Sequence, residues 1–322
     1  IVSGDGGYVI ADAATGENAL HTSTAPAFDS VFAKPQISRN GEFVAASSLT
    51  DGRWRVESIS SGETLYTAPE EWKIRTVADD GSKALIVLEK EVPGLADECQ
   101  VKLVDIAEGS SSRSIFDECL FGARFSPNGA FVFAATGGSG SAVIDTETLT
   151  LARLGGQYDS IFVDFTPDGT ELVIGSISGT VYVADLEKLM AGLPIEETIK
   201  HDRTISAHDN IILALVVSPD GRMVATAPWN EPAKIWDLQT GALIDQIGDK
   251  LSEQWRYELA FHPTLPQLMV LWPGGDVRIV TFASDELADI ARSRLTRVMT
   301  DGECRQYFNG PCPNRGSAKD SS

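Results

Sequence analysis

Gly175-Ser176-Ile177-Ser178-Gly179 carries two glycines four residues apart, the frame in which many hydrolases present a serine nucleophile on a strained turn. The centre of that frame must hold the nucleophile. Here it holds Ile177, so neither flanking serine is placed to attack. Gly137-Gly138-Ser139-Gly140-Ser141 is rich in glycine but lacks the Gly-x-x-x-x-Gly-Lys-Ser/Thr pattern that cradles phosphates, and a flexible hairpin accounts for it. A Ser-His-Asp set can be drawn from any chain with this many serines and aspartates, so without geometry it has no weight. His21, His201, His208 and His262 stand at no ligand-like spacing from Cys99, Cys119, Cys304 and Cys312, and no zinc site is expected. One carboxylate stands out, because Asp164 interrupts the apolar run Ile161-Phe162-Val163-Asp164-Phe165. A lone inward carboxylate is ordinarily hydrogen-bonded structure. Metal-binding acids ringing a channel would instead mark an enzyme. No catalytic residue, metal ligand or cofactor is assigned, and the chain is read as a non-enzyme.

Such residues need elements to hold them, and the elements repeat. An apolar run reaches a Pro/Asn/Asp-Gly turn, a second run follows, and a third ends near an acid and a glycine. Ile211–Gly241 is the clearest copy. The turn recurs at Ser38-Arg39-Asn40-Gly41, Asp79-Asp80-Gly81, Ser126-Pro127-Asn128-Gly129, Thr166-Pro167-Asp168-Gly169 and Ser218-Pro219-Asp220-Gly221, and degenerates at His262-Pro263-Thr264-Leu265-Pro266. The ends of the third strands are expected at Asp12, Ser58, Asp105, Asp145, Asp185, Asp237 and Thr281, with successive gaps of 40 to 52 residues. The longer gaps are explained by insertions at Val92–Cys99 and Leu189–Ser206. Repeats of this length, several short strands each, specify a propeller-like array in which no unit buries both faces alone. The expectation is an all-β fold with seven blades over residues 1–283, the first blade lacking its inner strand. The start inside a blade reads as a cut from a longer polypeptide.

Lys234-Ile235-Trp236-Asp237 followed by Leu238-Gln239-Thr240-Gly241, with the turn Ser218-Pro219-Asp220-Gly221, resembles the WD repeat. The resemblance implies a buried hydrogen-bonded tetrad, of which His208, Thr226 and Trp236 are the matching members. The acid of that set is expected around Trp229 and Asn230, where none stands, so the slot reads as empty or changed. The other copies keep Asp12, Asp105, Asp145 and Asp185 but lose the Trp, which makes the array divergent.

The net charge of −20 over 322 residues excludes the basic footprint that nucleic acids and anionic membranes require. It favours a basic or amphipathic protein or peptide partner. No apolar stretch approaches the roughly 20 residues of a membrane span, and no signal peptide is visible. A cytoplasmic location is therefore expected. Cys99 and Cys119 open on the same end of such a ring, and Cys304 and Cys312 flank a short helix, so both pairs could bridge. Without a secretory signal, free thiols are the favoured reading.

Five of the six tryptophans fall where strand alternation puts them at one end of the ring. Trp54, Trp229 and Trp272 lie in or beside connections between second and third strands, and Trp72 and Trp255 precede first strands. Arg53, Arg256 and Tyr158 join them. Tryptophan, tyrosine and arginine dominate protein-binding hot spots, so this end is the candidate partner face. The alternative is that the rings wedge between neighbouring blades.

After Ala283 the period changes to that of a helix. Ser284-Asp285-Glu286 begins one, and Thr300-Asp301-Gly302-Glu303 has capping-box spacing for a second. Residues 284–313 are expected to pack on the propeller through Leu287, Ile290, Leu295, Tyr307 and Phe308, and 314–322 to be disordered. The run Ser293-Arg294-Leu295-Thr296-Arg297, then Thr300-Asp301-Gly302-Glu303-Cys304-Arg305-Gln306-Tyr307 and Pro311-Cys312-Pro313, looks like the tail that closes WD-repeat regions of bacterial STAND-type and caspase-like signalling proteins. That resemblance implies an upstream effector domain, itself a candidate partner.

Overall fold

A computed structural model describes residues 2–4, 7–11, 18–22, 35–48, 51–90, 98–136, 140–158, 160, 162–248, 258–271 and 277–282. The expected helical tail and disordered end, the mark at Asp12, and Trp255, Arg256, Trp272, Cys304 and Cys312 lie outside these residues.

Among the described residues seven antiparallel sheets follow one another, each built from consecutive strands. Sheet I holds Val2–Gly4, Gly7–Ala11 and Asn18–Thr22, and sheet II holds Gln36–Ile37, Phe43–Ser47, Trp54–Ser58 and Thr64–Thr67. Sheet III holds Trp72–Val77, Lys83–Lys90 and Glu98–Asp105, with isolated bridges from Val101 to Phe116 and from Val104 to Ser111 beside its third strand. Sheet IV runs through Leu120–Phe125, Phe131–Thr136, Ser141–Asp145 and Leu151–Arg153, and sheet V through Phe162–Phe165, Glu171–Gly175, Thr180–Asp185 and Ile205–Ser206. Sheet VI comprises Ile212–Val217, Met223–Pro228, Ala233–Asp237 and Leu243–Ile247, and sheet VII Glu258–Phe261, Gln267–Leu271 and Val277–Thr281. Each of the six described marks, from Ser58 to Thr281, is the last residue of a third strand of its unit.

The turn between first and second strands shows why the unit recurs. In four copies the hydroxyl of Ser38, Ser126, Thr166 or Ser218 donates to the Asn or Asp two residues on, at 2.6–2.7 Å. The same oxygen accepts the amide of the returning strand at 2.9–3.1 Å. Gly41, Gly129, Gly169 and Gly221 close these turns with φ of 67–75°, the left-handed region where a side chain is disfavoured. The acid that ends a third strand has an equally local task. Asp237 Oδ1 accepts the amides of Gln239 and Thr240 and the Thr240 hydroxyl, and those bonds, Thr240 foremost, hold its pKa below the usual range.

The core is not one centre but a series of layers between successive sheets. Ala45 and Val56 of sheet II pack on Ile74 and Ile86 of sheet III. Val87 and Val101 of sheet III meet Val132 and Ile144 of sheet IV. The same pattern carries Phe133 onto Phe165, Val173 onto Val224, and Ala225 onto Val270. Middle strands such as Phe131–Thr136 are therefore buried at consecutive positions, covered on both faces, and read as continuous apolar runs. Between the third and fourth strands of sheet V the insertion forms two short helices, Leu186–Met190 and Ile195–Thr198. Leu186, Leu189, Ile195 and Ile199 seal it onto the layer between sheets IV and V.

Cys99 and Cys119 form a disulfide across 20 residues, tying the third strand of sheet III to the entry of sheet IV. This corrects the free-thiol reading for that pair. Bridging a loop of this size stabilises by roughly 3 kcal/mol in the chain-entropy account.

Candidate functional site

Six sheets converge on one cavity of about 550 Å3, five of them through residues of their first strands and sheet V through Pro167. Its rim is formed by the second residue of each inner turn: Arg39, Asp79, Pro127, Pro167, Pro219 and Pro263, one from each of sheets II to VII. Equivalent residues of six repeats can meet around one space only if the sheets curl about a common axis. The cavity is the mouth of that axis.

Below the rim lies a second ring of equivalent positions, the next-to-last residues of the first strands. It includes Gln36, Thr76, Arg124, Val216 and Ala260, with Asp164 in the same register. Asp164 has no exposed surface. Its Oδ1 accepts from Arg39 Nη1 at 3.0 Å, Arg124 Nη1 at 3.1 Å and the Phe165 amide at 2.9 Å, and its Oδ2 accepts the Val217 amide at 2.8 Å. Arg39 also donates to the Phe165 and Val217 carbonyls, so one side chain of sheet II spans to sheets V and VI. The carboxylate that suggested a metal ligand is thus committed to two guanidiniums and two amides. Among the described residues no group of three or more His, Cys, Asp or Glu is placed to hold a metal ion.

At the rim, burial raises the Asp79 pKa against hydrogen bonds from the Asn40 and Arg39 amides and the charges of Arg39 and Arg124. The Asn40 side-chain amide donates to the Asp79 carbonyl at 2.7 Å and joins neighbouring turns.

A second network lies inside sheet VI. Trp236 Nε1 donates to Thr226 Oγ1 at 3.1 Å, Thr226 Oγ1 lies 2.8 Å from His208 Nε2, and His208 Nδ1 lies 3.3 Å from Glu231 Oε2. One proton arrangement satisfies a neutral imidazole in this chain. Thr226 donates to Nε2, and Nδ1–H donates to the carboxylate. Burial, with Lys234 nearby, pushes the His208 pKa down to about 4, so the ring is neutral at physiological pH. Glu231 Oε1 accepts from the Asp209 amide and the Asn210 side chain. The fourth member of the tetrad is therefore present, at Glu231, and the expectation of an empty slot is corrected. Asn230 takes a left-handed conformation, φ 57°, and turns the chain so that the following acid reaches His208.

The glycine frame that failed as a nucleophile elbow has a packing role. Gly179 has φ 79°, its carbonyl accepts the Ala207 and His208 amides, and a Cβ there would lie 2.7 Å from the His208 carbonyl carbon. A Cβ on Gly175 would meet Ile212 Cγ2 at 2.8 Å. Both glycines let sheet VI approach sheet V.

The expected partner face divides. Strand alternation does put the connections bearing Trp54, Trp72, Tyr158 and Trp229 at the end opposite the cavity. Trp54 and Tyr158, however, are 6% and 5% exposed and belong to the layers between sheets II and III and between IV and V. They are wedges rather than contact residues, which corrects their assignment. Arg53 spends its guanidinium on the Ala68 carbonyl, at 2.8 and 3.0 Å. Trp72 and Trp229 are only partly buried, and Lys102 Nζ lies 4.9 Å from the Trp72 ring centre.

This architecture is a β-propeller carrying a WD40 repeat. The family model described as WD domain, G-beta repeat matches residues 199–227, the segment that brings His208 to Thr226. The chain is similar to the crystal structure of the Myceliophteria thermophila Cps50 (Swd1) β-propeller domain, with a TM-score of 0.50 and 16% identity, over 77% of this chain and 85% of that one. In sequence it is 28% identical over 124 residues to the WD repeat-containing protein SL1-17 of Schistosoma mansoni, which is 37% of this chain and 37% of that protein. It is also 28% identical over 125 residues to WD repeat-containing protein 90 of Mus musculus, 38% of this chain and 6% of that protein. The matched segment thus spans well under two thirds of either relative. No helix among the described residues is long and apolar enough to cross a membrane.

Proposed function

We propose that this propeller is a non-catalytic interaction platform that holds a protein or peptide partner on the end bearing Trp72 and Trp229. The observation that carries the reading is that these two indoles stay partly exposed at one end, while Trp54, in the same layer as Trp72, and Tyr158, between sheets IV and V, are packed as rigid support. Large aromatic area on a rigid base loses little entropy on binding. The charge of −20 favours a basic or amphipathic partner by steering its approach. The resemblance of residues 293–313 to bacterial signalling tails supports a place in a larger signalling protein, with its own upstream domain among the candidate partners. The relatives in mouse and schistosome support the WD repeat alone. The Cys99–Cys119 bond supports an oxidising compartment over the cytoplasm, since reducing cytosol keeps most thiols unpaired. Alkylation of natively purified protein followed by mass spectrometry reads that directly: labelled Cys99 and Cys119 would return the protein to the cytoplasm.

Affinity capture tests the platform. Partners held by the wild type should be lost from the Trp72→Ala/Trp229→Ala double variant and retained by Arg222→Gln, which alters an exposed residue at the opposite end. Equal capture by both variants overturns the assignment of the face.

A further inference from the structure

The cavity at the other end of the ring is a separate site. Two guanidiniums, Arg39 and Arg124, share the single carboxylate of Asp164. Arg39 is used up by this and by two carbonyls. The Arg124 side chain is 43% exposed, lines the cavity, and makes one hydrogen bond, from Nη1 to Asp164. Its Nε and Nη2 donate to no group among the described residues. Around it stand the rings of Pro127, Pro167 and Pro219, with Val216 and Phe261. Apolar walls weaken competition from water, and a fixed guanidinium fork matches the two oxygens of a carboxylate or phosphate. A concave site whose apolar walls carry a few polar and charged groups, here Arg124 with Asp79 on the same rim, is the common form of a small-molecule pocket.

We propose that this mouth binds an organic anion, with a carboxylate or phosphate monoester on Arg124 and its apolar body against the proline rim. Asp164 takes no part in contact with the ligand. It positions Arg124 by holding one nitrogen from beneath, and the buried charge of Asp164 is balanced by Arg39. The anion sits on a free small molecule or on an acidic side chain of a peptide, and the chemistry of capture is the same for both.

The test titrates phenylacetate, phenyl phosphate and a Phe-Glu dipeptide blocked at both ends into the full chain, with benzyl alcohol as the neutral control. Arginine side-chain NMR signals and calorimetry are the readouts. At least one anion should bind saturably and shift an arginine Nε–H signal that disappears in Arg124→Lys, while benzyl alcohol leaves it unmoved. Affinity should fall at least tenfold in Arg124→Gln and remain unchanged in Arg222→Gln. Tighter binding of the dipeptide assigns a peptide source, and tighter binding of the phenyl anions assigns a free one. The proposal is overturned if no anion shifts an arginine signal of the wild type, if benzyl alcohol binds as well, or if Arg124→Gln binds equally. The wild-type titration stands whether or not a variant folds.

Discussion

Two of the polar networks among the described residues, one around His208 and one around Asp164, join different things. The chain Trp236–Thr226–His208–Glu231 stays almost within sheet VI and links residues 10 to 23 positions apart in its hydrogen bonds. The Arg39–Asp164–Arg124 cluster joins sheets II, IV and V with sheet VI across the axis, and Arg39 and Asp164 are 125 residues apart. The first network fixes how one unit closes on itself. The second fixes how distant units stand about a common axis. A repeat protein needs both, and only the second depends on the ring as a whole.

The sharpest way to break the comparison is at Asp164. Asp164→Ala removes an acceptor from two guanidiniums and from the Phe165 and Val217 amides, and loss of one partner from a buried charge cluster costs about 3–5 kcal/mol. Chemical denaturation of Asp164→Ala, Arg39→Met and the double variant measures the coupling. Additive effects would show that the cross-axis link contributes nothing. Gly179→Ala comes next, because it drives a Cβ into the His208 loop from a left-handed backbone, and a loss of about 3 kcal/mol is expected. An unchanged denaturation midpoint would mean that sheets V and VI do not meet there as described.

The pH dependence of the tetrad is smaller. The folded His208 pKa, about 4, is below the unfolded value, so the unfolded state takes up a proton first as pH falls. Its contribution is complete above about pH 6.5 and is lost on the way down to about 4, at most about 3 kcal/mol. Denaturation midpoints between pH 7 and 5 should fall in the wild type and less steeply in His208→Gln. Equal slopes would contradict a buried neutral imidazole. The smallest effect is expected at Thr226→Val, which leaves the Trp236 Nε1–H without its acceptor at a cost of about 1–3 kcal/mol. A change confined to 0.5 kcal/mol or less, on the scale of surface substitutions, would show that the tetrad is ornamental to sheet VI.

The within-sheet network was largely legible in the sequence because the resemblance of Lys234–Gly241 to the WD repeat implies its members. The third-strand marks from Ser58 to Thr281 fell on strand ends because turn chemistry repeats with the chain. Glu231 was missed by one residue, because the left-handed turn at Asn230 changes the count in a way spacing cannot register. The cross-axis cluster was not legible. Asp164 was noticed as an anomaly, but its partners are set by ring closure, which leaves no periodic trace. One signal did point to it: Arg39 stands at the turn position where four other copies have proline. Exposure of the tryptophans was equally hidden. Sequence order puts them at one end, while packing between sheets decides that Trp54 sinks and Trp72 stays partly open.

The reach of Arg39 also carries a kinetic meaning. Each core layer among the described residues joins neighbours in the chain, so sheets II to VII can assemble by adding one sheet to the last, with modest loop-closure cost. The bond from Arg39 to Asp164 cannot form until sheets II to V have come round, which makes it a late event, absent from an early transition state. Interactions of that kind act on the unfolding rate. In stopped-flow experiments Arg39→Met should therefore open the ring faster while refolding at nearly the wild-type rate, so that the span across the axis acts as a latch on lifetime.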